Sequence, residues 1–294
     1  MTMSDWTIGV IGGSGLYAID GLEDAQSIRI DSPFGEASDD VVIGTLHGHR
    51  FAFLPRHGKG HRLSPTDVNA RANIDVLKRA GCTDILAISA IGSLREELPP
   101  GSFVLVDQFI DRTVGRTSSF FGTGMVAHVS MAEPVCPRLA GLAAQAARAA
   151  GAPVHEGGTY LAMEGPQFSS RAESHMYRAW GCDVIGMTAM PEAKLAREAE
   201  LPYALVGMVT DYDCWREGEA HVEVGAIIAQ MNSNSAKARQ MVLELARTLP
   251  EKREPSPIDT CLDFALITAP EVRDAGLLAR LDAVAGRALR PASR

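Results

Sequence analysis

The chain has 294 residues, 46% of them hydrophobic and 22% charged, and its 28 Lys and Arg against 36 Asp and Glu give a formal net charge of -8. This length suits one large α/β domain, or two small ones, around a buried core. The negative charge argues against nonspecific binding of nucleic acid, which requires clustered cations. Neither a signal peptide nor an apolar stretch of membrane-spanning length is recognisable.

The cysteines are widely spaced and include no CxxC pair. There are five of them, at Cys82, Cys136, Cys182, Cys214 and Cys261. An odd number without close spacing argues against a disulfide framework and against a zinc site. We therefore expect a reduced, cytoplasmic protein that binds no membrane and no structural metal.

Short apolar segments rich in Val and Ile alternate with helix-like segments along the chain. Strands are predicted at 8–11, 41–46, 51–54, 85–88, 103–106, 159–163, 184–187 and 204–209. Helices are predicted at 64–80, 138–150, 170–180 and 224–248. This alternation predicts a three-layer α/β/α single domain with a mixed, largely buried central sheet.

The first predicted helix has a complete set of boundary signals. Ser64 is a favourable N-cap, Pro65 suits the first turn, and Gly81 follows the last residue. Its apolar residues at 68, 72, 76 and 80 recur every four positions, as expected of a helix that packs on a sheet.

The C-terminal region is expected to differ from the rest. Residues 249–261 are rich in Pro and charge and are predicted to link the domain of residues 1–248 to an extension of residues 262–294. Within the extension, 270–289 has the apolar spacing of a helix, which we expect to dock on the same domain. Pairing of this helix with another subunit is the alternative.

The glycine-rich turn after the first predicted strand suggests a bound anion. Gly13-Ser14-Gly15 and Ala18 fit G-x-G-x-x-G/A, the dinucleotide-binding pattern, and Asp31 lies near the position of its acidic residue. A dinucleotide site requires a long helix after the loop, and Gly21 interrupts any such helix. A phosphate held by backbone N–H groups and the Ser14 hydroxyl fits better, although a turn without a ligand remains possible.

Two further strand ends also carry residues suited to an anion. Arg56, His57 and His61 follow the predicted strand 51–54, and Ser89 precedes a glycine turn at Gly92. An arginine fork matches phosphate oxygens, and a histidine can add a donor. Singly, each has an ordinary explanation, such as a surface salt bridge, but together they favour one shared site.

Several blocks, in this order, resemble the methylthioadenosine phosphorylase branch of the purine nucleoside phosphorylases. They are GGSGL, PRHGKGH, SAIGSLREE, DQFIDRT, MAEP, EGPQFSSRAES, GMTAMPEAKLAREA and TDYDCW. The similarity extends from about residue 7 to 215, with a weaker continuation to about 245. It implies an α/β/α fold, a homotrimer, and cleavage of a purine nucleoside by inorganic phosphate without a metal or organic cofactor.

The resemblance also implies roles for individual residues. Those of the phosphate site are Ser14, Arg56, His57, Ser89, Ala90 and Thr188. Those of the sugar and base pocket are Phe168, Ser169 and Met187, with Ala90 beside them. His128 would reach the 5′ end of the sugar from a neighbouring subunit, and Val224, Ile227 and Ile228 would cover a methylthio group.

The motif TDYDCW supplies the carboxyl groups that this chemistry requires. We expect Asp211 to act on purine N7, which gains negative charge as the N-glycosidic bond breaks, and Asp213 to assist at the 6-amino edge. Two aspartates favour a 6-aminopurine over a 6-oxopurine, and together with the apolar residues implied at the 5′ end of the sugar they point to methylthioadenosine.

Five alternatives remain at this stage. They are a polar turn without a catalytic role, a phosphorylase for 6-oxopurine nucleosides or methylthioinosine, a hydrolase, a nucleoside-binding protein, and an NAD-dependent oxidoreductase.

Overall fold

A mixed sheet of eleven strands forms the centre of the computed structural model, which describes residues 6–13, 20–216 and 224–289. The strands are β1 (Thr7–Gly12), β2 (Glu23–Ile28), β3 (Val41–Leu46), β4 (His49–Pro55), β5 (Asp84–Ser93), β6 (Phe103–Leu105), β7 (Gln108–Arg112), β8 (Val154–Glu156), β9 (Thr159–Met163), β10 (Val184–Gly186) and β11 (Tyr203–Asp211). The helices are α1 (Ala70–Arg79), α2 (Pro137–Ala149), α3 (Arg171–Ala179), α4 (Ala189–Glu198), α5 (Val224–Thr248), α6 (Ala275–Arg280) and α7 (Gly286–Leu289). Within the described ranges, none of them has both the length and the hydropathy needed to cross a bilayer.

The order of the strands places four carboxyl ends side by side. The main path is β2-β3-β4-β1-β5-β10-β9-β7, and β11 pairs with both β5 and β6. Strands β4, β1, β5 and β11 run parallel to their neighbours in this group. In contrast, β10 is antiparallel to β5, and its first residue, Val184, pairs with Ser93 at the end of β5.

Helices cover both faces of the sheet, which confirms the predicted three-layer arrangement. Successive residues of β5 alternate between two hydrophobic clusters, with Ile85 in the first and Leu86 in the second. The first cluster contains apolar residues of α1 and α4, and the second contains those of α2 and α5. Because both faces of β5 and β11 are buried, these strands are nearly continuous in apolar residues.

The first predicted helix begins later than its sequence signals indicate. Helix α1 starts at Ala70, and its N-cap is Asn69, whose side chain accepts from the N–H of Ala72. Ser64 instead forms a local turn with Asp67, through both its carbonyl and its hydroxyl. The prediction of a start at Ser64 is therefore wrong, because serine can cap a turn as readily as a helix.

The remaining helix predictions agree with the structure to different extents. Helices α2 and α3 lie within one residue of the predicted bounds, and α5 has the predicted bounds. The single helix predicted over 270–289 is wrong, since the region contains a 3₁₀ turn at Pro270–Val272 followed by the short helices α6 and α7. A further 3₁₀ turn, Pro257–Thr260, lies in the segment predicted to be a linker.

Three strands have no counterpart in the sequence prediction. They are β2, β7 and β8. Strand β2 is exposed along its whole length at the edge of the sheet, so no alternation of apolar residues marks it. Strands β7 and β8 are short and only partly buried, and lack the apolar run by which the central strands were recognised.

Candidate active site

The register of the parallel strands brings several of the sequence-predicted residues to one edge of the sheet. Gly12 pairs with Pro55, so the chain leaves β1 beside Arg56 and His57. Asp211 pairs with Gly92, so the end of β11 lies beside the end of β5. Ligands in α/β sheets gather at the carboxyl ends of such strands.

Two hydroxyl groups meet where β5 and the chain after β10 come together. Ser89 Oγ lies 3.0 Å from Thr188 Oγ1. Thr188 is the N-cap of α4, yet its side chain makes no capping hydrogen bond within that helix. Its hydroxyl is therefore available to this pair, which can bond to an anion. Ala90 follows Ser89 and is half-buried.

Arg56 is buried, and its charge is balanced by a residue that the sequence analysis did not assign. Its Nε and Nη2 donate to the two carboxylate oxygens of Glu192, at 2.8 and 3.0 Å. Nη1 and Nη2 also donate to the main-chain oxygens of Ile88 and Ile11. Burial disfavours the cation, but Glu192 outweighs it, and the pKa of Arg56 lies above its ordinary value.

The guanidinium fork is therefore occupied by Glu192 within the chain. These contacts use four of its five N–H groups and leave one, on Nη1. Glu192 also accepts from the hydroxyl of Tyr203 at 3.0 Å. The role of Arg56 at a phosphate stays a prediction, and its geometry allows one direct hydrogen bond instead of a bidentate pair.

His57 is a neutral imidazole whose orientation is defined by one contact. Nδ1 lies 3.0 Å from the main-chain oxygen of Leu63, which can only accept, so Nδ1 carries the proton. Burial, followed by the charge of Arg56, lowers the pKa of His57 to about 4. Its ring stacks on that of His61 with centroids 4.3 Å apart. At neutral pH the free Nε2 is thus an acceptor, suited to a phosphate hydroxyl.

The two aspartates form a linked pair at the end of β11. Asp211 Oδ1 accepts from the main-chain N–H of Asp213 at 2.8 Å, and Asp211 Oδ2 accepts from the hydroxyl of Thr210 at 2.7 Å. Burial raises the pKa of Asp211. Burial also raises the pKa of Asp213, although nearby Ser174 opposes this, and the charge of Asp211 raises it further. Raised pKa values keep such groups able to donate a proton nearer neutral pH.

Asp213 has further features of a group poised for a ligand. Its Oδ2 is buried without a hydrogen-bond partner in the structure. Its backbone lies in the left-handed region, with φ of 54°, which a non-glycine residue rarely adopts. A buried carboxylate oxygen without a partner is costly, and a donor on a bound molecule would satisfy it.

Of the residues predicted for the sugar and base, Ser169 lies next to this pair. Ser169 is buried, and its main-chain oxygen accepts from the thiol of Cys214 at 3.2 Å, next to Asp213. Met187 immediately precedes Thr188, whereas Phe168 is 60% exposed.

Other predicted residues are not brought to the site by the described part of the chain. His128 is exposed, and its main-chain N–H donates to Ala265 at 2.9 Å. Ile228, on α5, is 48% exposed. Ser14 and the side chains of Val224 and Ile227 lie outside what the structure describes. The assignments of these five residues stay predictions.

The sequence analysis did not identify the buried residues that bond to Arg56 and to the segments of the site. They are Glu192, Tyr203, Arg116 and Glu164. Glu192 lies within the block GMTAMPEAKLAREA, four residues after Thr188, and is 2% exposed. A carboxylate only four residues after Thr188, a residue predicted to bind an anion, could have indicated a buried partner for Arg56. No signal of that kind marked Arg116.

In the described ranges, no group of three or more His, Cys, Asp and Glu side chains is arranged to hold a metal ion. The site instead combines hydroxyl groups, a neutral imidazole and two carboxyl groups with raised pKa. This set can hold an anion on one side and transfer a proton to a leaving group on the other.

Comparison with known proteins identifies the class to which this fold and site belong. Residues 7–247 match the sequence model of the phosphorylase superfamily. The S-methyl-5'-thioadenosine phosphorylase of Cereibacter sphaeroides is 60% identical over 285 residues, which cover 96% of this chain and 98% of that protein.

Solved structures agree with this assignment. A methylthioadenosine phosphorylase from an Antarctic soil metagenomic library has a TM-score of 0.90 at 46% identity, covering 97% of this chain and 99% of that one. A variant of the adenosine/methylthioadenosine phosphorylase of Schistosoma mansoni, in complex with methylthioadenosine, has a TM-score of 0.75 at 38% identity, covering 82% of this chain and 91% of that one. The chain belongs to the S-methyl-5'-thioadenosine phosphorylase family of the phosphorylase superfamily.

Proposed function

We propose that the protein cleaves S-methyl-5'-thioadenosine with inorganic phosphate, and that the products are adenine and 5-methylthioribose 1-phosphate. The observation that carries the proposal is the half-buried Asp211–Asp213 pair, with raised pKa values, at the end of β11, because the neighbouring strand β5 carries Ser89 of the Ser89–Thr188 hydroxyl pair. The family of the chain and the methylthioadenosine complex of the Schistosoma mansoni enzyme support the choice of substrate.

In this reaction phosphate is the nucleophile, so the protein forms no covalent intermediate. Its task is to hold phosphate in position for the attack. A phosphate oxygen bonds to the anomeric carbon as the N-glycosidic bond breaks, and the electron pair of that bond passes to the purine. Ser89, Thr188 and the remaining N–H of Arg56 would hold phosphate from one side, while His57 Nε2 accepts from its hydroxyl.

Asp211 completes the proton balance of the reaction. Its carboxyl group gives a proton to purine N7, which neutralises the charge that the leaving base gains, and it is then reprotonated from solvent. The unpartnered Asp213 Oδ2 accepts from the 6-amino group. A 6-oxopurine would instead present an oxygen to this carboxylate, so a 6-aminopurine is the favoured base.

The proposal includes a homotrimer in the cytoplasm that uses no metal or organic cofactor. Phe264, Ile267 and Val272 are 98%, 62% and 67% exposed, and this apolar surface adjoins the loop of His128 through the Ala265 hydrogen bond. Such a surface favours association with another subunit.

All five cysteines are free, in keeping with a reducing compartment. A monomer in light scattering would contradict the trimer, and loss of activity in EDTA would contradict the absence of a metal.

A panel of four nucleosides tests the function directly. Turnover of methylthioadenosine, methylthioinosine, adenosine and inosine is measured with and without phosphate, with Asp211→Ala as the inactive control. We expect release of adenine from methylthioadenosine only when phosphate is present. A clear preference for inosine, or equal turnover in water alone, would overturn the proposal.

A further inference from the structure

A second arginine, Arg116, lies behind the site and contacts the backbone of two of its segments. Its side chain is 6% exposed. Nη1 donates to the main-chain oxygens of Met187 and Met190, at 2.6 and 2.9 Å. Nε donates to Glu164 Oε1 at 3.1 Å, and Nη2 donates to the main-chain oxygen of the same residue at 2.6 Å.

The Met187 and Met190 carbonyls lie on either side of Thr188. A guanidinium that holds both oxygens restricts the backbone of the intervening turn, and hence the position of the Thr188 hydroxyl. This hydroxyl is the one that lies 3.0 Å from Ser89. Arg116 therefore acts on the phosphate side of the site through the backbone of this turn.

Glu164 links the same guanidinium to the loop of Thr66 and to the backbone of its own segment at Val114. Its carboxylate also accepts from the hydroxyl of Thr66, in the loop after His61, and from the main-chain N–H of Val114 at 2.6 Å. Burial opposes ionisation of Glu164, but the Thr66, Val114 and Arg116 contacts prevail, and its pKa lies below the ordinary value. The carboxylate therefore stays charged and paired near neutral pH.

A close approach at Gly165 shows how tightly these segments fit. Gly165 has φ of 71°, and a Cβ placed on it would lie 2.4 Å from Met187 Sδ. The chain continues from Gly165 to Phe168 and Ser169, which are on the base side of the site. The Arg116–Glu164 pair thus lies where the base-side loop touches the turn of Met187 and Thr188.

We propose that Arg116 is a positioning residue that holds the phosphate-binding turn at Thr188 in register with the base-side loop at 164–169. This inference rests on the proposed phosphorolysis. Because an in-line attack is sensitive to displacements of about 1 Å, loss of Arg116 would impair both substrates at once. A residue that only stabilises the fold would leave the binding constants of the folded enzyme unchanged.

The test compares Arg116→Met with Arg253→Met in the full chain. Arg253 is a matched control, since it is 13% exposed and bonds to Asp84 and Asp259 at the opposite end of β5. For Arg116→Met we expect the KM for phosphate and for methylthioadenosine to rise together and kcat/KM to fall about 10- to 100-fold. For Arg253→Met we expect both KM values to stay within about twofold of wild type while the Tm falls.

Three further measurements distinguish the positioning role from an effect on folding and from failure of the proposed function. Arg116→Lys keeps the charge but cannot bond to both carbonyls and Glu164, so its loss of kcat/KM should be smaller than that of Arg116→Met. Added ethylguanidinium should partly restore the activity of Arg116→Ala. Titration with phosphate alone should give about tenfold weaker binding to Arg116→Lys than to wild type, whatever nucleoside the enzyme uses. If wild type does not cleave methylthioadenosine, the proposed function fails. If the Arg116 variants keep wild-type phosphate affinity and KM values, the positioning role fails.

Discussion

The proposed chemistry depends most on Asp211, because its carboxyl group supplies the proton. Replacement by Asn keeps the size and the hydrogen bond from Asp213 but removes the proton, so kcat should fall by about 10²- to 10⁴-fold. The phosphate KM should change little, because the hydroxyl pair of Ser89 and Thr188 is retained. Steady-state kinetics checks this, with the exposed Asp31→Asn as control. An equal loss of turnover and of phosphate binding would contradict the assignment.

His57 should make the stability of the protein depend on pH. Its pKa in the folded state, about 4, is below the ordinary 6.5, because burial and then the charge of Arg56 disfavour the cation. The unfolded chain therefore binds the proton first, and stability is full above pH 6.5 and falls as the pH decreases toward 4, by about 1–3 kcal/mol. Urea unfolding in phosphate-free buffer at pH 7.5 and 4.5 should give a smaller difference for His57→Asn than for wild type. An identical difference in both proteins would contradict the prediction.

The start of α3 is stabilised by a capping box. Ser170 Oγ accepts from the N–H of Glu173, and the Glu173 carboxylate accepts from the N–H of Ser170. Ser170→Ala removes the acceptor of the Glu173 N–H and should lower the free energy of unfolding by about 0.5–2 kcal/mol. Ser233→Ala, at an exposed interior position of α5, should have little effect or a slightly stabilising one. Chemical denaturation compares the two, and equal effects would show that the cap contributes nothing.

At the scale of the whole molecule, the C-terminal region is part of one core. Leu281 is completely buried in the same hydrophobic cluster as α1 and α4, and Arg287 bonds to Glu200. Leu281→Ala should therefore lower the free energy of unfolding by about 2–5 kcal/mol in a single cooperative transition. The neighbouring exposed Arg280→Ala should change it by less than about 0.5 kcal/mol. A separate early transition in Leu281→Ala would indicate an independent C-terminal unit.

Local patterns were sufficient to predict much of the fold and part of the site. The central strands were recognised because burial on both faces makes them continuous apolar runs, and the bounds predicted for α3 agree with the structure to within one residue. The site residues Ser89, Asp211 and Asp213 were found because polar residues follow those runs directly. Chain segments without such a pattern, such as the exposed edge strand β2, were not found.

The sequence by itself determined the alternation of strands and helices, the strand ends that carry the reactive groups, and the likeness to a family. These depend on residues close together in the chain. Only the tertiary structure decided that the Arg56 fork is bonded to Glu192, 136 positions away, and that Arg116 holds the turn at Thr188. These pairings depend on the register of strands and on burial, and both arise when distant segments pack together.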